Sequence, residues 1–139
     1  MAPPPVPSDV FTRDPGHAFD TAKPPAPWVR FAIEALRAEQ LEPVGELTLI
    51  RHRAGDHGLP AWPREAEFRF AIDLTDARSS VGGGVLLFLD ETGRGSGWRA
   101  ESGAMTIWSG ADPELTELVP GAPDRLTLIG QARALSPGG

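Results

Sequence analysis

The chain has 139 residues, 40% of them hydrophobic, with 16 Gly, 15 Pro and a formal net charge of -6. That is the length of one domain with enough apolar residue for a packed core, and the Gly and Pro content predicts turn-rich β structure rather than a helical bundle. The absence of cysteine excludes disulfides and thiolate metal sites, and an acidic chain whose one lysine is Lys23 excludes a basic nucleic-acid face and a polybasic membrane patch. With no secretion-signal pattern at the start and no apolar run of membrane-spanning length, a cytoplasmic protein is expected.

Residues 1–27 hold eight of the prolines, including Pro3-Pro4-Pro5 and Pro24-Pro25. Proline lacks a backbone donor and favours extended geometry, so this segment is expected to be a loose arm, with Val10, Phe11 and Phe19 as the residues to pin it. A docking motif for a proline-binding partner is the other use of such a segment. Residues 28–135 are expected to form a single domain, and 136–139 a frayed end. The domain opens with a helix over Trp28–Leu41, in which Trp28, Phe31, Ala35 and Leu36 share a face and which Pro43 stops.

Short strands follow. Glu46–Arg53 puts Leu47, Leu49 and Arg51 on one face. His57–Trp62 is a weak strand, interrupted by Pro60 and followed by Pro63. Phe68–Leu74 alternates, with Phe68, Phe70, Ile72 and Leu74 expected inward and Arg69, Ala71 and Asp73 outward. Val85–Asp90 is wholly apolar up to its last residue and should be central. Gly97–Ala100 and Ala104–Trp108 flank a Ser102-Gly103 turn, Leu115–Val119 comes next, and Arg125–Ala132 follows the turn at 120–123. Eight strands behind one helix predict a mainly β fold, a double-sheet jelly roll. Trp62, Trp98 and Trp108 are expected in its core. Gly82-Gly83-Gly84 lacks the following Lys-Ser/Thr of a phosphate loop and precedes a strand, so it reads as a turn. Asp73 and Glu114 would make an acid–base pair if both faced a pocket.

The blocks Gly83-Gly84-Val85-Leu86-Leu87-Phe88-Leu89-Asp90, Gly97-Trp98-Arg99, Gly103-Ala104-Met105-Thr106 and Pro120–Gly130, in this order and spacing, resemble the iron(II)- and 2-oxoglutarate-dependent oxygenases, the prolyl-4-hydroxylase-like branch above all. The resemblance covers roughly residues 46–133. It implies an eight-stranded double-stranded β-helix (jelly roll, cupin-like), an iron(II) held by a His-x-Asp pair and a distal His, and 2-oxoglutarate held by an Arg-x-Ser pair. The positions that match the iron ligands here are Ala61, Pro63 and Glu114. Alanine and proline carry no side-chain donor, so no metal is expected there. The matching Arg-x-Thr, Arg125 and Thr127, is kept; a guanidinium and a hydroxyl two residues on face the same side of a strand and suit a carboxylate such as 2-oxoglutarate. If no carboxylate binds there, Arg125 would instead pair with an internal acid, Glu114 or Asp112. A displaced metal site would have to draw on His52, Asp56, His57 and Glu114.

The sequence is therefore expected to encode a degenerate oxygenase-like protein acting as a binding or partner subunit, pairing with an active homologue or with itself. The other readings are an active oxygenase on a different ligand register, a metal-free enzyme using Glu114 and Arg125, and a plain small-molecule-binding barrel.

Overall fold

The computed structural model describes residues 10–62, 64–75, 86–89, 92–98, 102–117 and 124–136. Among them run β1 (Asp20–Ala22), α1 (Ala26–Ala38), β2 (Leu41–His52), β3 (Phe68–Asp73), β4 (Leu86–Leu89), β5 (Gly95–Trp98), β6 (Met105–Trp108), β7 (Glu114–Leu115) and β8 (Arg125–Ala134). The fold is mainly β. A five-stranded sheet has the order β1-β2-β8-β3-β6 and a three-stranded sheet the order β5-β4-β7, with every pairing antiparallel. No helix among the described residues is long and apolar enough to cross a membrane.

The five-stranded sheet has apolar material on both faces. On the outer face α1 lays Trp28, Phe31, Ala32 and Leu36 over Leu47 and Leu49 of β2, Phe70 and Ile72 of β3, and Leu126, Leu128 and Ala132 of β8. On the inner face Ile50, Ala71, Trp108 and Ile129 pack with Leu86 and Leu115 of the smaller sheet and with Phe19 and Trp62. Trp62 and Phe88 meet Trp108 edge-on, at centroid distances of 5.2 and 5.5 Å. The alternation of Phe68–Leu74 is thus read in the right phase, but its polar side does not face water. Arg69, Ala71 and Asp73 are buried, Ala71 against Leu86 and Leu115 of the smaller sheet.

Other boundaries move for local reasons. The helix begins at Ala26 because Pro25 sits at its N-cap and Pro27 in its first turn, where a missing N–H costs nothing. It ends when Gln40 takes a φ of 61°, and Leu41 opens β2 rather than closing the helix. Pro43 and Gly45 belong to β2, which carries two more residues than β8 between Val44 and Thr48. The expected loose arm is corrected over its described part. Phe19 is buried and Asp20–Ala22 pair with β2. Phe11 lies 4.4 Å beneath the Arg51 guanidinium, whereas Val10 stays exposed.

The expected second strand, His57–Trp62, forms no ladder. Gly58 has a φ of 80° and Pro60 has no donor, so the segment makes single bonds instead: His57 N–H to Ala18 O and Gly58 N–H to Leu115 O. The wholly apolar strand is central only within its own small sheet, between β5 and β7, and Leu89 is exposed. β5 and β6 do not pair with each other across Ser102-Gly103; they sit in different sheets. The final strand runs on to Ala134, and Leu135 N–H still bonds Gln40 O. Residues 82–84 and 120–123 lie outside the described residues, as does the Trp98 side chain.

Gly130 is the tightest point of the sheet, since an added Cβ would run into Leu47 and the Phe70 ring. Gly130→Val is expected to destabilise the protein by about 1–3 kcal/mol, read as a lower urea midpoint at unchanged slope. A midpoint equal to wild type would show that the α1–sheet contact is not close-packed.

Candidate functional site

Strand periodicity builds the inner face row by row. On β8 the residues 125, 127, 129 and 131 point inward, flanked by His52 and Ile50 of β2 and by Asp73, Ala71 and Arg69 of β3. Arg125 pairs in register with His52, and Thr127 with both Ile50 and Asp73. Adjacent rows of paired strands keep side chains within reach of one another. The face is therefore polar at one end (His52, Arg125, Thr127, Asp73), apolar in the middle (Ile50, Ile129, Ala71), and polar again at the far end (Arg69, Gln131).

The two polar ends differ in how well they are satisfied. At the far end Arg69 Nε lies 2.5 Å from Asp112 Oδ1, and Arg69 Nη2 donates to Gly110 O. Trp108 Nε1 donates to Asp112 Oδ1 at 3.1 Å, and Gln131 Oε1 accepts from the N–H groups of Glu65 and Ala66 at 2.8 and 3.2 Å. These bonds tie residues 64–66 and 110–112 to the sheet, a structural task.

At the near end Arg125, 1% exposed, donates from Nε at 3.1 Å and from Nη2 at 2.5 Å to a single oxygen, Oδ1 of the fully buried Asp73. Arg125 Nη1, Asp73 Oδ2, Thr127 Oγ1 and His52 Nδ1 are buried with no partner. His52 Nε2 lies 2.7 Å from Gly58 O. A carbonyl only accepts, so Nε2 carries the proton and Nδ1 presents a bare lone pair. Burial, with the Arg125 charge beside it, holds the imidazole neutral and its pKa down at about 4, against the Gly58 bond, which favours the cation. Burial raises the Asp73 pKa, and the Arg125 pair works against that rise.

A strap of residues 10–22 seals this end. The Phe19 ring centroid is 5.8 Å from that of His52, and His17 stacks on Phe19 at 4.6 Å. Asp20 takes Arg13 at 2.8 Å, Arg51 at 3.0 Å and Arg53 at 3.3 Å, and Arg13 reaches on to Asp56 at 2.5 Å. Arg53 N–H also donates to Asp56 Oδ2 at 2.9 Å.

Several expected site residues are not brought together. Glu114 is exposed on β7 while Asp73 is fully buried, so the two form no acid–base pair. The acid that meets Arg125 is Asp73, not Glu114 or Asp112; the latter serves Arg69. Of the positions matching iron ligands, Ala61 is exposed, Glu114 is exposed, and Pro63 lies outside the described residues. The displaced set fails too: His52 faces inward, His57 is exposed, and Asp56 is spent on Arg13 and the Arg53 N–H. Among the described residues no three His, Asp or Glu are placed to hold a metal ion. The described residues therefore offer iron no ligand set. Arg125 and Thr127 do lie on one face as expected. Arg69 and Gln131 were not foreseen; their signal is that Arg125, Thr127 and Gln131 alternate with an unbroken apolar phase, Leu126, Leu128, Gly130 and Ala132.

No protein-family model matches the chain, and no curated protein matches it. A similar solved structure is an RmlC-like cupin protein from Desulfovibrio desulfuricans, 14% identical, with a TM-score of 0.35 and covering 65% of this chain and 79% of that one.

Two outcomes are expected from the near end. Asp73→Leu and Arg125→Met should each cost about 3–5 kcal/mol, because each leaves a buried charge unpaired, and the double variant should recover most of the loss. Additive losses in a denaturation cycle would mean that the pair is not coupled. Because the His52 pKa is lowered from about 6.5 to about 4 on folding, its contribution is fully present above pH 6.5 and is lost as pH falls from 6.5 to 4. The loss is on the order of 3 kcal/mol. Asp73, whose folded pKa is raised, opposes this, since acid relieves its buried charge. His52→Gln should flatten the stability-against-pH curve in that window; curves parallel to wild type would remove His52 as its cause.

Proposed function

We propose that the chain is a jelly-roll, cupin-like binding protein whose ligand site is the His52–Arg125–Thr127–Asp73 end of the inner face. On this reading it is a degenerate relative of the 2-oxoglutarate oxygenases, serving as a binding or partner subunit and not as an oxygenase. The strand orders support the topology. On this reading β2-β8-β3-β6 and β5-β4-β7 would be the two sheets of a jelly roll, with residues 57–62 taking the remaining place beside β7; the Gly58 N–H bond to Leu115 O supports that assignment.

The observation that carries the site is the clustering of four buried polar atoms without hydrogen-bond partners on contiguous positions; Trp62 Nε1, Thr106 Oγ1 and Arg69 Nε also lack one, but Arg69 Nε is ion-paired with Asp112. Buried polar groups are normally paired, and an unpaired cluster marks where something else completes the bonding. Two of the four atoms belong to Arg125 and Thr127, the pair that the family resemblance assigns to a carboxylate. The oxygenase reading is disfavoured by Ala61 and by the outward Glu114.

Thermal unfolding with 2-oxoglutarate, succinate, D-ribose and glycerol, each with and without iron(II), tests both parts. At least one compound should raise the midpoint without iron, a stabilisation of up to about 2.7 kcal/mol at a hundredfold excess over Kd, and Thr127→Val should reduce the rise. Succinate formation from 2-oxoglutarate with iron would restore the oxygenase. No stabilisation by any of the four would remove the ligand site.

A further inference from the structure

We infer that the ligand of the His52–Arg125–Thr127–Asp73 patch is neutral and presents adjacent hydroxyl groups, as a polyol or the hydroxylated end of a sugar does, and is not a dicarboxylate. The inference rests on the reading of that patch as a ligand site. It follows from the polarity of the four unpartnered atoms. Arg125 Nη1 only donates. His52 Nδ1 only accepts, because the ring's proton is committed to Gly58 O. Asp73 Oδ2 accepts, since the carboxylate is held in an ion pair through Oδ1. Thr127 Oγ1 does either.

A dicarboxylate such as 2-oxoglutarate offers acceptors alone. It would satisfy Arg125 and Thr127 and set its own lone pairs against His52 Nδ1 and Asp73 Oδ2. A hydroxyl both donates and accepts, so two neighbouring hydroxyls donate to Nδ1 and Oδ2 while accepting from Nη1 and Thr127. Charge points the same way. The Arg125–Asp73 pair cancels its own charge and His52 is neutral, so a carboxylate entering here would be desolvated without a counter-ion. Beside the polar row lie Ile50, Ile129 and Ala71, which suit the C–H face of such a molecule. The open clefts of about 440 and 380 Å³ lie along β6 and not at this patch, which is enclosed, so the ligand is small.

Nitrogen-15 NMR of the His52 ring reads the inference directly, because an unprotonated imidazole nitrogen shifts when it accepts a hydrogen bond. Glycerol or D-ribose at millimolar concentration should move the Nδ1 resonance of the full chain, and 2-oxoglutarate should not. Thr127→Val should weaken the polyol effect roughly tenfold, the worth of one hydrogen bond, with the Nε2 resonance unchanged. If 2-oxoglutarate binds in a Thr127-dependent way and neither polyol moves Nδ1, the hydroxyl inference fails while the ligand site stands. If no probe moves Nδ1 and thermal stability is also unchanged by all of them, the patch holds ordered water only and both readings fail.

Discussion

Strand β8 has no solvent side. Its residues Arg125 to Ala132 are buried without a break, between α1 on one face and the smaller sheet on the other. A strand that alternates arginine, threonine and glutamine with leucine and alanine would ordinarily turn the polar phase to water. Here that phase is roofed, and each polar residue on it must find a partner in the interior. β3 supplies Asp73 for Arg125, the N–H groups of Glu65 and Ala66 meet Gln131, and Thr127 Oγ1 is left without a partner. The ion pairs follow from burial; they do not cause it.

The same constraint explains the division of labour across the inner face. Where loops pass close, at 64–66 and 110–112, their backbone groups meet Arg69 and Gln131, and the end of the barrel is closed by bonds that the chain makes with itself. At the opposite end the strap carrying Phe19 closes the surface with an aromatic ring, which offers no hydrogen bond to the atoms below it. The charges that hold the strap are Arg13, Asp20, Arg51, Arg53 and Asp56, of which Asp20 and Asp56 are buried. His52 is thereby covered without being completed, and Arg125, Thr127 and Asp73 beside it are buried with unpartnered atoms of their own.

Much of the scaffold was legible because periodicity is local. The phases of Leu47–Leu49–Arg51 and of Phe68–Leu74, the helix face of Trp28, Phe31 and Leu36, and the order of the strands follow from side-chain alternation and from the turn residues between them. Periodicity cannot say whether the second phase of a strand meets water or another sheet. For that reason Asp73 reads as outward and its pairing with Arg125 is invisible. Residues 57–62 read as a strand because they pack like one, and lack a ladder because Gly58 and Pro60 cannot make it. β1 is hidden by its proline-rich surroundings and exists because the edge of β2 needs a partner.

The meaning of Arg125 turns on magnitudes. A buried ion pair adds little stability over apolar residues of the same size, so stability does not account for the Arg125–Asp73 pair. Leaving its outer atoms dry is costly: each unsatisfied buried polar atom costs about 1–3 kcal/mol, or about 4–12 kcal/mol for four. The whole stability of a small domain is about 5–15 kcal/mol. A deficit of that size is the reason to propose an occupant for the patch, one that donates as well as accepts. Water meets that requirement, and so does a hydroxylated ligand. A carboxylate meets only half of it, because it brings no proton to His52 Nδ1 or Asp73 Oδ2. The aspartate thus makes Arg125 one donor of a mixed polar set rather than an anion clamp.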